Sequence, residues 1–157
     1  MMRTLARLVI GLVAAALALD GGAVAAEQWG GIEPGESTMP VVRSLRGSPT
    51  RATTQKVDGY DTAEWIYEDA KAPGGIRRMT VDFGLMTPAG YRPDLVRSFK
   101  LEPKPGAFDK NSITTGWGPP VGVGKDGDVE LFFYKEGLFV YFAPDGHAVA
   151  TMTFTPP

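Results

Sequence analysis

Pro34-Gly35 followed by Gly47-Ser48-Pro49 returns 71 residues later as Pro105-Gly106 followed by Gly118-Pro119-Pro120. Such an echo restricts the chain to folds built from one unit used twice, and it outranks local signals because missing it mis-assigns the whole fold. The correspondence runs on. Thr38 answers to Asp109 and Val42 to Ile113; Trp65-Ile66-Tyr67 answers to Phe132-Phe133-Tyr134 at an offset of 67. Met79, Val81 and Phe83 answer to Leu138, Val140 and Phe142 at 59, and Phe99, Leu101 and Pro103 to Met152, Phe154 and Pro156 at 53. Falling offsets imply longer connectors in the first copy.

The first 26 of the 157 residues read as a leader. Arg3 and Arg7 precede an apolar run from Leu8 to Leu19, and Ala23-Val24-Ala25-Ala26 supplies small residues before Glu27. This is the pattern of a secretory signal peptide, because the run is too short to span a bilayer and ends at Asp20-Gly21-Gly22. Cleavage is expected after Ala26, with Ala25 the alternative. The expected organisation is residues 1–26 as signal peptide, 27–104 as a first repeat and 105–157 as a second, packed as one domain.

Without Arg3, Arg7 and Asp20, 131 residues remain with 14 Lys or Arg against 17 Asp or Glu, a net charge of −3 with His147 neutral. The charges are mixed along the chain, with no basic stripe to neutralise phosphates, so nucleic acid is not an expected partner. Cysteine is absent. That removes a disulfide framework, a thiolate nucleophile, a thiolate metal site and a thioether-linked lipid anchor. The expected location is periplasmic or secreted, in a bacterium.

Within the first copy, residues 27–33 read as a loose leader or a short strand. Thr38 is a helix N-cap residue with Pro40 in the first turn, Met39, Val42 and Leu45 have helical spacing, and Gly47 with Pro49 ends the helix. Such a helix of about nine residues cannot stand alone and must dock on a sheet. Asp109, Ile113 and Gly118 repeat the pattern. The polar stretches Thr50 to Thr62 and Val121 to Asp128 read as turn-rich, with room for a helical turn. Three strands then follow in each copy: Glu64–Glu68, Arg77–Phe83 and Val96–Leu101, then Val129–Tyr134, Leu138–Phe142 and Ala148–Phe154. Gly74-Gly75, Glu136-Gly137 and Pro144-Asp145-Gly146 are the turn signals between them. The fold class expected is α+β: two tandem helix-plus-three-strand antiparallel repeats forming one sheet with helices on one face.

Alternation assigns faces. Met79, Val81 and Phe83 share one side, Thr80 and Asp82 the other. In the second copy Phe139 and Tyr141 take the outward places, joined by Phe133 if Phe132 and Tyr134 point inward. These three are the candidate binding residues, because an uncovered aromatic patch on a sheet suits a protein partner. Burial of the same face by connectors or by self-association is the competing reading.

Chemical motifs are sparse. His147 lies beside a turn with no nucleophile elbow in the chain. Gly122-Val123-Gly124-Lys125-Asp126-Gly127 does not complete a phosphate loop and reads as a connector. Glu64 with Glu68, and Asp126 with Asp128, are carboxylate pairs of the kind that strand ends and turns collect. Trp65 and Trp117 read as core. No catalytic residue, metal site or cofactor is expected.

A cap-led short helix closed by Gly-x-Pro, then an aromatic-x-Tyr strand and two more strands, resembles the module of the BamE (SmpA/OmlA) outer-membrane assembly lipoproteins. Gly35, Thr38, Val42, Leu45, Gly47, Pro49, Trp65 and Tyr67 carry it, and Gly106, Asp109, Ile113, Gly118, Pro120, Phe132 and Tyr134 repeat it. Two such modules in tandem are similar to the β-lactamase inhibitory protein fold, in which paired helix-strand units form one sheet with a concave aromatic binding face. The resemblance spans about Gly35 to Pro156. It implies a non-enzymatic protein-binding module of the bacterial envelope, an inhibitor or an assembly factor, whose partner is an envelope or secreted protein. The chain departs from both families in lacking cysteine, which the former use for a lipid anchor and the latter for disulfides. Other classes compatible with the residues are a small secreted hydrolase or carbohydrate-active protein, and a self-associating structural envelope protein.

Overall fold

A computed structural model describes residues 29–157; the expected signal peptide lies outside them. The chain forms one eight-stranded antiparallel sheet with two short helices. Its elements are α1 (Met39–Arg46), β1 (Arg51–Val57), β2 (Tyr60–Glu68), β3 (Ile76–Thr87), β4 (Gly90–Pro103), α2 (Lys110–Trp117), β5 (Gly122–Asp126), β6 (Val129–Phe133), β7 (Leu138–Phe142) and β8 (Val149–Phe154). The strand order is β1-β2-β3-β4-β8-β7-β6-β5. No helix among the described residues is long and apolar enough to cross a membrane.

This corrects the expectation of two helix-plus-three-strand repeats. Each helix is followed by four strands, because the two stretches read as turn-rich, including the glycine-rich 122–127 segment, are the edge strands β1 and β5. Every residue of β1 is exposed, so no alternation marks it, and its order comes from pairing with β2 along seven consecutive residues. The two-residue turn Asp58-Gly59, both at positive φ (51° and 84°), closes that hairpin with the twist a right-handed ribbon requires. The offset between copies falls for a second reason too. In the first copy β3 and β4 run 12 and 14 residues as a long hairpin, against 5 and 6 for β7 and β8. The extra length thus lies in these strands as well as in the β2–β3 connector, residues 69–75 against 134–137 between β6 and β7.

The core follows the alternation. Met79, Val81, Phe83, Phe99 and Leu101 are fully buried, and so are Leu138, Val140, Phe142, Met152 and Phe154. Val42 of α1 and Ile113 of α2 close over this one cluster, each contributing about 1.5–3 kcal/mol by leaving water. Leu45 corrects the helical face expected for α1: it is 46% exposed, and only Val42 of the predicted stripe is fully buried. Residues 29–33 are no loose leader either. Trp29 and Ile32 exchange backbone hydrogen bonds, Ile32 is fully buried, and Arg46 lies over the Trp29 ring.

Each helix is fastened by the same device. The Tyr67 hydroxyl donates to the carbonyl of Gly47, the residue ending α1, at 3.0 Å, and the Tyr134 hydroxyl donates to that of Gly118, ending α2, at 3.0 Å. Burial raises the pKa of both phenols. The N-termini differ. Asp109 forms a capping box with Ser112, whereas Thr38 makes no side-chain cap.

The halves meet where β4 pairs with β8, through Phe99↔Phe154, Lys100↔Thr153 and Leu101↔Met152. Under the 53-residue correspondence Phe99 equals Met152 and Leu101 equals Phe154, so each pairing is the mirror of another, as in a two-fold interface. The Phe99 and Phe154 rings stack 4.4 Å apart at 11°. Lys100 and Thr153 sit on the axis.

Candidate functional site

The face of the sheet opposite the helices is left uncovered by the described residues. One row of side chains crosses it from edge to edge: Arg51, Ile66, Thr80, Lys100, Thr153, Phe139, Phe133 and Gly122, each the register partner of the next. Successive residues of a strand face opposite ways, so this row alternates with the buried Phe99, Leu101, Val140 and Phe132.

Phe133, Phe139 and Tyr141 all fall on this face, half-buried. Phe133 and Phe139 are register partners with ring centroids 5.5 Å apart at 81°. The Phe133 ring lies across the β5 backbone, where a Cβ on Gly124 would stand 2.9 Å from its Cε2. The glycines of β5 are thus a seat for an aromatic ring, a role that no local pattern in 122–127 announces. Tyr141 stands apart from the ring pair, beside Leu131 and Thr151. It lines an open hollow of ≈ 540 Å³ with Lys100, Asp126, Thr151, Thr153 and Pro144.

A second patch was not visible in the sequence reading. Val57, Tyr60, Met86 and Tyr91, with Thr62 and Arg97, line a smaller hollow of ≈ 220 Å³ at the tips of the β1–β2 and β3–β4 hairpins. Tyr60 is 44% and Met86 54% exposed, and the Tyr60 and Tyr91 rings lie 4.6 Å apart. Gly84 makes this arrangement possible. It occupies a register irregularity in β3 at φ 109°, and a Cβ there would lie 2.1 Å from the Tyr91 hydroxyl. Tyr91 therefore crosses β3 over bare backbone and donates to the Asp61 carbonyl on β2. The sequence signal was a glycine inside a strand pattern, which marks a bulge or a close approach.

At the end of β2, β3 and β4 away from the hairpin tips lies a charged belt. Glu68 accepts from Arg78 at 2.7 Å and from Arg51 at 3.4 Å, and Glu102 binds Arg77 at 2.9 Å and Arg78 at 3.6 Å. Half-exposed pairs of this kind add less than about 1 kcal/mol each; they keep this end of the face polar. Thr80, expected to point outward, does so but is only 8% exposed in its row between Ile66 and Lys100.

The structure disperses the remaining chemical candidates. His147 is an exposed turn residue whose backbone N–H, with that of Ala148, donates to the Asp145 carboxylate, holding that acid's pKa below the usual range. Its carbonyl accepts from Lys110 at the start of α2. Glu64 and Glu68 share the open face, Glu68 committed to arginines and Glu64 opposite Asp82 and Thr53. Asp126 ends β5 and lines the larger hollow, and Asp128 lies in the β5–β6 turn. Trp65 is in the core, with Arg43 over its ring at 5.0 Å, and Trp117 packs against the core from the end of α2. Among the described residues no three His, Asp or Glu side chains gather as a metal site.

No family model matches the chain, and no curated protein matches it. Among solved structures, a DUF4309 family protein (YjgB) from Bacillus subtilis is similar, with a TM-score of 0.50, 12% identity, and coverage of 81% of this chain and 83% of that one. The likeness is one of fold.

Proposed function

We propose that this chain is a non-enzymatic protein-binding module of the bacterial envelope that engages an envelope or secreted protein through the open face of its sheet. The observation that carries this reading is the pair of apolar aromatic patches at opposite ends of that one face, Tyr60, Tyr91 and Met86 at one and Phe133, Phe139 and Tyr141 at the other. Aromatic side chains on a rigid strand give up little rotamer freedom on binding and dominate interface energetics. The charged belt at the other end of β2–β4 adds polar contacts on the same face without enlarging its apolar surface. The BamE-like and inhibitor-like resemblance points to the same class of partner, and the leader-like first 26 residues to an exported location.

A photo-crosslinking residue at position 141 tests the reading in the native host. The expected result is one discrete adduct with an envelope or secreted protein, lost when Phe139→Ser is added and not formed from Val41, an exposed position on α1. Equal adducts from positions 141 and 41, or an adduct that survives Phe139→Ser in a folded chain, would sink it. An adduct with a second copy of this chain would establish self-association in its place.

A further inference from the structure

We infer that the hollow around Lys100 is a binding site for a carboxylate-bearing sugar ring of the uronic-acid type. This goes beyond protein recognition and rests on Lys100, Thr151 and Thr153, sharing Tyr141 alone with the protein-binding patch. Lys100 is exposed near the middle of the sheet, on the axis between the halves, and no acid pairs with it among the described residues, although arginines on the same face are matched to Glu68 and Glu102. Its counterpart in the second copy is Thr153, so the cation belongs to one half only and the site is asymmetric.

The rest of the hollow has the composition of a polyol site. Thr151 and Thr153 present hydroxyls that make no hydrogen bond to the described residues, Tyr141 offers a ring face and a free phenol, and Pro144 adds apolar surface for the C–H face of a sugar. Asp126 on the rim accepts from ring hydroxyls. A volume of ≈ 540 Å³ is within the range of small-ligand sites, about 300–1,000 Å³. The charge count selects the anion. One ammonium matches a singly charged carboxylate, whereas a phosphate group takes several donors or an arginine fork. A neutral sugar leaves the ammonium without a counter-charge.

Two-dimensional NMR of the purified chain, titrated with methyl glucuronide, methyl glucoside and acetate, tests this without any protein partner present, so its outcome is independent of the crosslinking experiment. Saturable shifts at Lys100, Tyr141, Thr151 and Thr153 are expected with the glucuronide, with at least tenfold weaker binding of the glucoside and of acetate. Lys100→Met should weaken the glucuronide tenfold or more, and Lys100→Arg should retain most of the affinity. A uronate hexamer binding tighter than the monomer assigns a polysaccharide source, and equal binding assigns the free sugar. Equal affinity for glucuronide and glucoside, equal affinity for acetate, shifts away from Lys100, or no saturation overturns the assignment. An acidic peptide displacing the glucuronide at lower concentration overturns it as well.

Discussion

Removing one oxygen atom from each tyrosine that fastens a helix gives a test in which the two halves act as controls for one another. In Tyr67→Phe and Tyr134→Phe the ring remains packed, Tyr67 fully buried and Tyr134 nearly so, and only the 3.0 Å bonds to Gly47 and Gly118 are lost. A neutral hydrogen bond contributes about 0.5–1.5 kcal/mol net, and a stranded buried partner raises the cost towards about 1–3 kcal/mol. Gly47 is exposed and Gly118 half-buried, so water can replace the hydroxyl at the first more readily. We expect losses of about 1 kcal/mol for Tyr67→Phe and about 1.5–2 kcal/mol for Tyr134→Phe, additive in the double variant because the bonds share no partner. Urea unfolding at constant m measures this, and thermal midpoints should fall by about 2–4 °C per kcal/mol. There is a pH signature as well. Burial raises both phenol pKa values above the ordinary 10.0, so the native state holds these protons more tightly than the unfolded chain. That stabilisation is complete below pH 10 and is lost as pH rises through the folded pKa values. The double variant should lose stability less steeply above pH 10 than the parent. A double variant within about 0.3 kcal/mol of the parent at pH 7, below the resolution of additivity, or an unchanged alkaline slope, refutes the reasoning.

Two other expectations concern the caps and the smaller patch. Asp109→Ala should destabilise more than Thr38→Ala, because only Asp109 accepts a helix N–H, that of Ser112 at 2.7 Å. Ser112 also holds the Asp109 pKa low, so the difference between the two variants should be present above the ordinary 3.8 and vanish as acid titrates the folded carboxylate; equal effects at neutral pH count against the cap. Gly84→Ala should cost roughly 1–3 kcal/mol from its positive φ and displace Tyr91 from Asp61, seen as loss of the Tyr60–Tyr91 ring-current shifts by NMR; unmoved shifts would show that Tyr91 does not depend on the bare backbone of β3.

Core alternation in β3, β4, β7 and β8 and both helix stops were legible in the chain, as was the outward placement of Phe133, Phe139 and Tyr141. These signals are local: period 2 within a strand, a cap or a glycine at a helix end. The strands missed, Arg51–Val57 and Gly122–Asp126, bury almost nothing of their own, and their order comes from partners in β2 and β6. The Asp58-Gly59 turn was a local signal for the first of them that the polar composition around it concealed.

The sequence by itself determined the alternation that buries Met79, Val81, Phe83, Leu138, Val140 and Phe142 and turns Phe133, Phe139 and Tyr141 away from them, because each follows from spacing along one segment. Tertiary structure alone decided that β4 lies against β8. That pairing joins residues about 53 positions apart, sets Lys100 on the axis beside Thr153, and forms the hollow between them and Tyr141. Strand order is fixed by how the two half-sheets bury their edges and by the stacking of Phe99 on Phe154, and no periodicity within a single strand encodes it.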